Sequence, residues 1–105
     1  MPEDFLKFKN LLELREDVRD YFGVKNKEDV KDISSDIDLK IRQLGKEELG
    51  SEIIEKLDDL KSVAEDFLEE ELALRDEKLG SVINEITQLI DRKIVNVAKK
   101  IEVVS

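Results

Sequence analysis

Apolar residues recur along the chain at spacings of three and four, which is the period of an amphipathic α-helix. The first such stripe consists of Phe5, Phe8, Leu11, Leu12, Val18 and Phe22. Pro2 suits the first position of a helix, and Gly23 can adopt the left-handed conformation that ends one. The pattern predicts a first helix over 2–22, with Val24 packing back over its last turn.

A second stripe follows Asn26, whose side chain can accept a hydrogen bond from the first turn of a helix. Its apolar positions are Val30, Ile33, Ile37, Ile41 and Leu44. They predict a second helix over 27–44, which Gly45 ends. The next segment, GKEELGSE, holds two glycines and a serine that suits a helix cap, Ser51. We therefore predict a connection there, with one helical turn inside it.

From Ser51 onward the apolar positions alternate four and three apart, as in a coiled-coil seam. They are Ile53, Leu57, Leu60, Ala64 and Phe67, and Leu68, Leu72 and Leu74 continue the apolar character. The pattern predicts a third helix over 51–78, which would be the longest element. Gly80 and Ser81 predict a break after it. The alternative is one continuous stripe through Leu72, Leu79, Ile83, Ile86 and Ile90.

The last predicted helix, over 81–103, carries more apolar surface than one neighbouring helix usually covers. One face holds Ile83, Ile86, Ile90, Ile94, Val97, Ile101 and Val104, and Val82, Leu89, Val95 and Val103 lie off that face. Two interpretations stay open: a central helix that contacts two or three others, or a strip left exposed for a partner. We predict that the chain forms a homodimer or a higher homo-oligomer, because the long third and fourth helices offer more apolar seam than two short helices can cover. Its seam would be Ile83, Ile86, Ile90, Ile94, Val97 and Ile101.

Together the stripes predict an all-α fold, an antiparallel bundle of about four helices in a single helical domain over 1–105. The third and fourth helices are predicted to be long and coiled-coil-like. A chain of 105 residues has the usual size of one domain. It contains four glycines and one proline, so turns should be few and helices long.

Charged residues make up 43% of the chain and hydrophobic residues 40%, and the net charge is -9. This balance indicates amphipathic helices with charged outer faces rather than a disordered chain. Five pairs of opposite charge stand four residues apart: Glu3 with Lys7, Asp36 with Lys40, Asp38 with Arg42, Glu52 with Lys56, and Glu71 with Arg75. Each such pair within a helix would add about 0.2–0.5 kcal/mol. The abundance of Glu and Lys resembles hyperthermophile usage.

The chain contains neither histidine nor cysteine, which removes several classes of chemistry. Cys-His zinc sites, Ser-His-Asp triads and Cys-His nucleophiles all require one or both of these residues. The glycines do not form a phosphate-binding loop or a dinucleotide fingerprint. We therefore expect a protein that is not an enzyme and has no catalytic residue, no metal ligand and no cofactor.

No apolar run approaches the length of about 18 residues that would suggest a membrane span. The start of the chain, MPEDFLKFKN, has acidic residues where a signal peptide would need a basic region, and no cysteine is present to form a disulfide. These features predict a soluble cytoplasmic protein that does not bind membranes.

Positive charge is concentrated in one segment of the last predicted helix, LIDRKIVNVAKKI. Arg92, Lys93, Asn96, Lys99 and Lys100 form an exposed strip there, and we predict that these five residues bind a partner. An acidic segment of another protein would suit the strip. A second interpretation is that the charges only complement the end of a helix, and a third is a nucleic-acid backbone. The net charge of -9 argues against tight binding of nucleic acid.

Two segments of the C-terminal half, FLEEELALRDEKL and LIDRKIVNVA, resemble the later helices of the α-helical domain in archaeal GINS replication subunits. Arg92, Lys93, Ile94 and Ala98 match an Arg-Lys-Ile-x-x-x-Ala-like pattern of that family. The resemblance implies a non-enzymatic scaffold subunit that assembles with related chains and links a replicative helicase to other factors. The start MPEDFLKFKN does not match the family, and the small β-domain of the family has no counterpart here.

Without the resemblance, the residues predict an α-helical protein–protein interaction or assembly module. The alternative, from another class of function, is an acidic inhibitor or decoy that occupies a basic nucleic-acid-binding surface. The acidic residues that would do so are Glu65, Asp66, Glu69, Glu70, Glu71, Asp76 and Glu77.

Overall fold

A computed structural model describes residues 2–69 and 72–104 of the chain. This part contains five α-helices and no strand, so the all-α prediction is confirmed, but the helices are five rather than four. They are α1 (Pro2–Arg19), α2 (Lys27–Leu44), α3 (Lys46–Leu49), α4 (Ser51–Asp66) and α5 (Leu72–Val104). A short 3-10 turn, Phe67–Glu69, follows α4. Over the described residues, no helix combines the length and the apolar character that crossing a membrane requires.

The bounds of α2 are those predicted. Asn26 has an extended backbone, and its side-chain oxygen accepts a hydrogen bond of 2.9 Å from the backbone N–H of Asp29. At the other end Gly45 has a φ of 89°, and its N–H donates to the carbonyl of Ile41 at 2.8 Å. Both ends of the helix therefore have partners for backbone groups that would otherwise be unsatisfied.

The connections on either side of α2 are also largely as predicted. α1 ends at Arg19, three residues earlier than expected, and a turn leads to Gly23 and the buried Val24. α3 is the single helical turn expected between α2 and α4, and it buries Leu49. The predicted serine cap is wrong, because Ser51 is already helical and Gly50 occupies the cap position without a side-chain hydrogen bond.

The predicted break at Gly80 is wrong, because α5 runs through it as one helix. A glycine inside a helix costs about 0.5–1 kcal/mol relative to alanine. Leu79 and Ile83 on either side are fully buried, and each such burial is worth about 1.5–3 kcal/mol. A continuous helix keeps both side chains on the core face, so burial outweighs the cost of the glycine. The continuous stripe, considered above as the alternative, is the correct interpretation.

The α-helix ends instead at Asp66, where the 3-10 turn Phe67–Glu69 begins, so the predicted third helix over 51–78 is wrong. The last turn of α4 contains Glu65 and Asp66 and no basic residue. Carboxylates there are unfavourable, because the C-terminal end of a helix carries partial negative charge. The longest helix is consequently α5, with 33 residues. At about 1.5 Å per residue it spans the whole 48 Å length of the molecule.

The four longer helices contact one another in a closed cycle, in which α1 packs on α2, α2 on α4, α4 on α5, and α5 on α1. Their apolar faces form one core. Its fully buried large side chains are Leu11, Leu14, Val18, Tyr21, Ile37, Leu49, Leu57, Leu60, Leu79, Ile83, Ile86 and Ile90. The coiled-coil-like positions of α4 face this core, with Phe67 partly buried at its edge.

Each contact of the cycle carries an ion pair between its two helices. The pairs are Arg15 with Asp91 at 2.8 Å, Lys40 with Glu13 at 3.3 Å and with Asp17 at 3.5 Å, Lys61 with Asp38 at 2.7 Å, and Lys56 with Glu85 at 2.6 Å. A further pair, Lys7 with Glu48 at 3.5 Å, joins α1 to α3. These groups are partly exposed, so each pair contributes about 0–1 kcal/mol and mainly fixes how the helices align.

Four of the predicted pairs within helices do not form ion pairs, although Glu52, after Glu85, still contributes to the raised pKa of Lys56. Lys7, Lys40, Lys56 and Asp38 pair across helix contacts rather than with Glu3, Asp36, Glu52 and Arg42 on their own helices. The fifth predicted pair, Glu71 with Arg75, lies outside the described side chains. Spacing along one helix does not reveal which carboxylate a neighbouring helix brings closer.

Candidate partner-binding surface

The predicted partner-binding strip lies on the C-terminal part of α5. Arg92, Asn96, Lys99 and Lys100 are exposed, and Lys93 is half-buried. None of the four cations is within ion-pair distance of a carboxylate among the described residues, unlike the five cations that join helices. The surface therefore keeps its positive charge available on a protein whose net charge is -9.

The strip divides between two sides of α5. With about 100° between successive residues of a helix, Arg92 and Lys99 project away from the core. Lys93 and Lys100 lie on a different side of α5. Closer to the start of α5 this side packs against α4, and Glu85 pairs there with Lys56. The five residues therefore lie on one part of one helix, but their side chains point in different directions.

The predicted oligomer seam lies mainly inside the chain's own core. Ile83, Ile86, Ile90 and Val97 are buried, and Ile94 and Ile101 are partly buried against the same core. The contacts of α5 with α1 and α4 account for this stripe without a second copy. Of the two interpretations, the structure favours a helix that packs against two others, here α1 and α4.

Exposed apolar side chains lie elsewhere, mostly on α1, and two of them belong to the apolar stripe predicted for this helix. Phe5 is 57% exposed and Leu12 is 41% exposed. The core face of α1 instead includes Leu14, and Tyr21 in the turn after α1 is also fully buried; the predicted stripe omitted both. At about 100° per residue, Phe5 and Leu12 lie roughly 120° round the helix from the line between Leu11 and Val18.

Three further large apolar residues are exposed, namely Leu6 at 58%, Val95 at 50% and Leu39 at 42%. Leu6 and Leu39 line one groove between α1 and α2, together with Lys9, Asn10, Glu13, Lys40 and Gln43. Val95 lies among the cations of α5. The sequence did give a signal for Val95, because it stands off the main apolar face of its helix.

A partly buried ion-pair cluster joins α1 to α2 beside this groove. Burial lowers the pKa of Lys40, but Asp17 and Glu13 outweigh that effect, so that its pKa is raised overall. Burial raises the pKa of Asp17, and the carboxylates of Asp36 and Asp20 add to this against the opposing effect of Lys40. Lys40 thus stays charged at neutral pH, while Asp17 ionises less readily than an ordinary aspartate. The cluster aligns the two helices.

Near this cluster, Tyr21 is fully buried, and its hydroxyl shares a hydrogen bond of 2.7 Å with the hydroxyl of Ser34. Burial raises the pKa of this tyrosine, with Ser34 acting in the opposite direction. The phenol is therefore un-ionised at neutral pH and acts as a structural link between the turn after α1 and α2.

The acidic residues considered for a decoy function lie around the end of α4 and the start of α5. Glu65, Asp66 and Glu77 are exposed. The side chains of Glu69, Glu70, Glu71 and Asp76 lie outside the described part of the chain. In the described residues, no group of three or more acidic side chains is arranged to hold a metal ion.

Comparison with protein-family models, with curated protein sequences and with solved structures finds no match to this chain.

Proposed function

We propose that this chain is a non-enzymatic α-helical protein–protein interaction or assembly module, with its four longer helices arranged as an antiparallel bundle. The observation that carries the proposal is the basic strip of Arg92, Lys93, Asn96, Lys99 and Lys100. These cations are exposed or half-buried and have no ion-pair partner among the described residues. Opposite charge on a partner would steer its approach and set its orientation.

The more specific form of the proposal is a scaffold subunit of a replication complex. It rests on the resemblance of the C-terminal half to the α-helical domain of archaeal GINS subunits. Two of the residues that match the family pattern, Arg92 and Lys93, belong to the basic strip. In this form the strip would contact another subunit of the complex rather than DNA.

Capture of partners from an extract of the source cells tests the proposal. The intact chain serves as bait, and bound proteins are identified by mass spectrometry. We expect the double variant Arg92→Glu with Lys93→Glu to lose the partner several-fold while keeping its fold. The matched control is Lys27→Glu with Lys31→Glu, which makes the same change of charge at exposed positions of α2.

The identity of the captured protein separates the forms of the proposal. Replication proteins support the scaffold form, and other proteins support only the general one. Partner capture that both double variants leave unchanged, or capture of no protein at all, would contradict a role for the strip.

The second candidate is an acidic inhibitor or decoy. It is favoured by the composition of α4, which has six acidic residues (Glu52, Glu55, Asp58, Asp59, Glu65 and Asp66) and two lysines. Both lysines are engaged in ion pairs, whereas Glu65 and Asp66 are exposed. Capture of a nuclease or another DNA-binding protein, lost on Glu65→Lys with Asp66→Lys, is the expected result for this function.

A further inference from the structure

The helices α4 and α5 form an antiparallel hairpin. Near the start of α5, the ammonium of Lys78 lies 5.0 Å from the ring centroid of Phe67, which follows α4. Farther from the connection between the helices, Lys56 pairs with Glu85 at 2.6 Å. The residue number therefore falls along α4 while it rises along α5.

α4 lies beside only the first part of α5. It begins at Ser51, five residues before Lys56, and the same step from Glu85 leads to about residue 90 of α5, because both helices rise about 1.5 Å per residue. α5 continues to Val104, about 20 Å farther. α3, which precedes Ser51, packs on α2 and α4 rather than along α5. From about residue 91 onward, this side of α5 consequently no longer has α4 beside it.

Three residues of the basic strip lie on this side, namely Lys93, Asn96 and Lys100, here called the basic triplet. Asn96 and Lys100 are exposed, and Lys93 is half-buried. Neither lysine forms an ion pair with a described residue. Glu102, the one carboxylate of α5 after Asp91, lies about 160° round the helix from Lys100. No carboxylate of this segment therefore competes for the two lysines.

The start of α4 carries acidic residues at the same intervals as the basic triplet, i, i+3 and i+7. They are Glu52, Glu55 and Asp59, here called the acidic triplet. All three are exposed, and none forms an ion pair with a described residue. Lys56 lies among them, but its charge is balanced by Glu85. The acidic triplet therefore keeps its negative charge, on the side of α4 where Asp59 lines the groove between α4 and α5.

We infer that two copies of this chain form a dimer about a twofold axis, in which the basic triplet of each copy binds the acidic triplet of the other. An axis that crosses the molecule near residue 91 of α5 places segment 92–100 of one copy beside segment 51–59 of the other. The two segments then run in the same direction, because the axis reverses α5 and α4 is antiparallel to α5. The inference rests on the proposed function and identifies the partner of the strip as a second copy.

One position of the axis brings all the pairs into register. Lys93 and Glu52 both lie about 3 Å from it along the helix direction, and Lys100 and Asp59 both lie about 14 Å from it. Between these two ion pairs, the amide of Asn96 can donate a hydrogen bond to the middle carboxylate of the acidic triplet. The twofold axis repeats the same contact on its other side, so the surface is complementary to itself.

The net charge of -9 opposes the association of two copies, but it acts over longer distances than the contacts between triplets do. At physiological ionic strength the Debye length is about 8 Å, and exposed charges that are farther apart are largely screened. The opposite charges of the triplets would be in contact and are screened less. An acidic segment of another protein would use only the basic triplet, whereas a second copy uses both triplets.

Sedimentation of the purified full chain at about 0.15 M salt tests the inference. We expect an equilibrium between monomer and dimer, with no larger species. Lys93→Glu with Lys100→Glu should raise the dissociation constant of the dimer at least about tenfold, because it places like charges in contact. Glu52→Lys with Asp59→Lys should raise it by a similar factor for the same reason.

Two control variants make the same changes of charge at exposed positions of α2. They are Lys27→Glu with Lys31→Glu, and Glu28→Lys with Asp32→Lys. Both should dimerise as the unchanged chain does. Far-UV circular dichroism and urea midpoints check that every variant is folded.

A mixture of the two variants that reverse the triplets gives a sharper result. In a mixed dimer each contact again joins opposite charges, so the mixture should dimerise about as tightly as the unchanged chain, although neither variant does so alone. The recovery also shows that both variants keep the folded surface.

Single cysteines test the register, because the chain itself contains none. Asn96→Cys in one copy and Glu55→Cys in the other should form a disulfide when the mixture is oxidised. Within one chain, Glu55 is level with about residue 86 of α5, about 15 Å from Asn96, whereas a disulfide requires Cα atoms within about 7 Å. Lys27→Cys in place of Asn96→Cys is the control and should crosslink much more slowly.

Three results would overturn the inference: a chain that stays monomeric at millimolar concentration, a dimer that the charge reversals leave unchanged, and a mixture that does not recover association. Failure of the proposed function is a separate result. In capture from a cell extract, the dimer would retrieve the cell's own copy of the chain. A monomeric chain that captures a different protein through the basic strip would leave the interaction function standing and exclude the second copy.

Discussion

The helices α1 and α2 have the same length, 18 residues each, but distribute their apolar side chains differently. In α2 the apolar residues keep to one face, and only Leu39 is a large apolar residue in the exposed class. In α1 they are spread around the helix, so that Phe5, Leu6 and Leu12 remain exposed while another face is fully buried. Of the two helices, α1 carries more apolar surface than its own core contacts cover.

The difference separates two uses of apolar residues in one small protein. Those of α2 are explained by folding alone, because the core covers most of them. Those on the outside of α1 contribute little to stability in the free chain and increase the exposed apolar area. Exposed apolar side chains that cluster next to unpaired cations are typical of surfaces that bind a partner.

The largest expected difference between the two helices is in stability, and truncating one apolar residue on each helix tests it. Ile37→Ala in α2 removes a fully buried side chain, and we expect the free energy of unfolding to fall by about 2–5 kcal/mol. Leu12→Ala in α1 should change it by less than about 0.5 kcal/mol. Urea unfolding followed by far-UV circular dichroism measures both. Similar losses for the two variants would show that Leu12 is part of the core.

The sequence predicted α2 more accurately than α1, and the reason is the same difference in how their apolar residues are distributed. The single apolar face of α2, with Asn26 before it and Gly45 after it, predicted both ends of the helix. For α1 the spacing fitted a stripe through Phe5 and Leu12 as well as the true one, because apolar residues lie on several sides. The stripe period alone does not determine which face the neighbouring helices cover.

Two further features depend on contacts that are distant along the chain. The continuity of α5 through Gly80 depends on the burial of Leu79 and Ile83 by other helices, which local helix signals do not include. The candidate surface was predicted in part: Arg92 and Lys99 were identified from their spacing, whereas the exposure of Phe5 and Leu12 was not. Which side of α1 is covered depends on how the other helices pack against it.

A smaller effect is expected at the start of α2. Asn26→Ala removes the side-chain oxygen that caps the helix, and the free energy of unfolding should fall by about 0.5–2 kcal/mol. The control is Ser51→Ala at the start of α4, where the side chain makes no cap hydrogen bond. Thermal and urea unfolding should show a clear loss for the first variant and little change for the second. Equal losses would mean that Ser51 acts as a cap in solution.

The contact between the turn after α1 and α5 can be probed at Gly80. A Cβ atom there would lie 3.6 Å and 3.9 Å from two ring carbons of Phe22, which is ordinary van der Waals contact. Gly80→Ala should therefore stabilise the protein by about 0.5–1 kcal/mol through helix propensity. The control Gly23→Ala should destabilise it by about 1 kcal/mol, because Gly23 has a φ of 77°. A loss of stability on Gly80→Ala would show that α5 does not continue through this position.

The smallest expected effect concerns Asp20, which follows α1 and faces carboxylates of both helices. Burial raises its pKa above 3.8, and Glu16 and Asp36 raise it further. The folded state therefore holds this proton to a higher pH than the unfolded state does. Its ionisation costs stability at neutral pH, and that cost disappears as the pH falls through the folded pKa towards 3.8.

Asp20→Asn should consequently stabilise the protein at about pH 7 by a few tenths of a kcal/mol, less than about 0.5 because the group is exposed. The gain should shrink on acidification to about pH 4. Glu55→Gln on α4 removes one negative charge as well, and it controls for the change in net charge. Urea unfolding of both variants across this range would contradict the assignment if Asp20→Asn gave no more than Glu55→Gln at neutral pH, or if its gain grew as the pH fell.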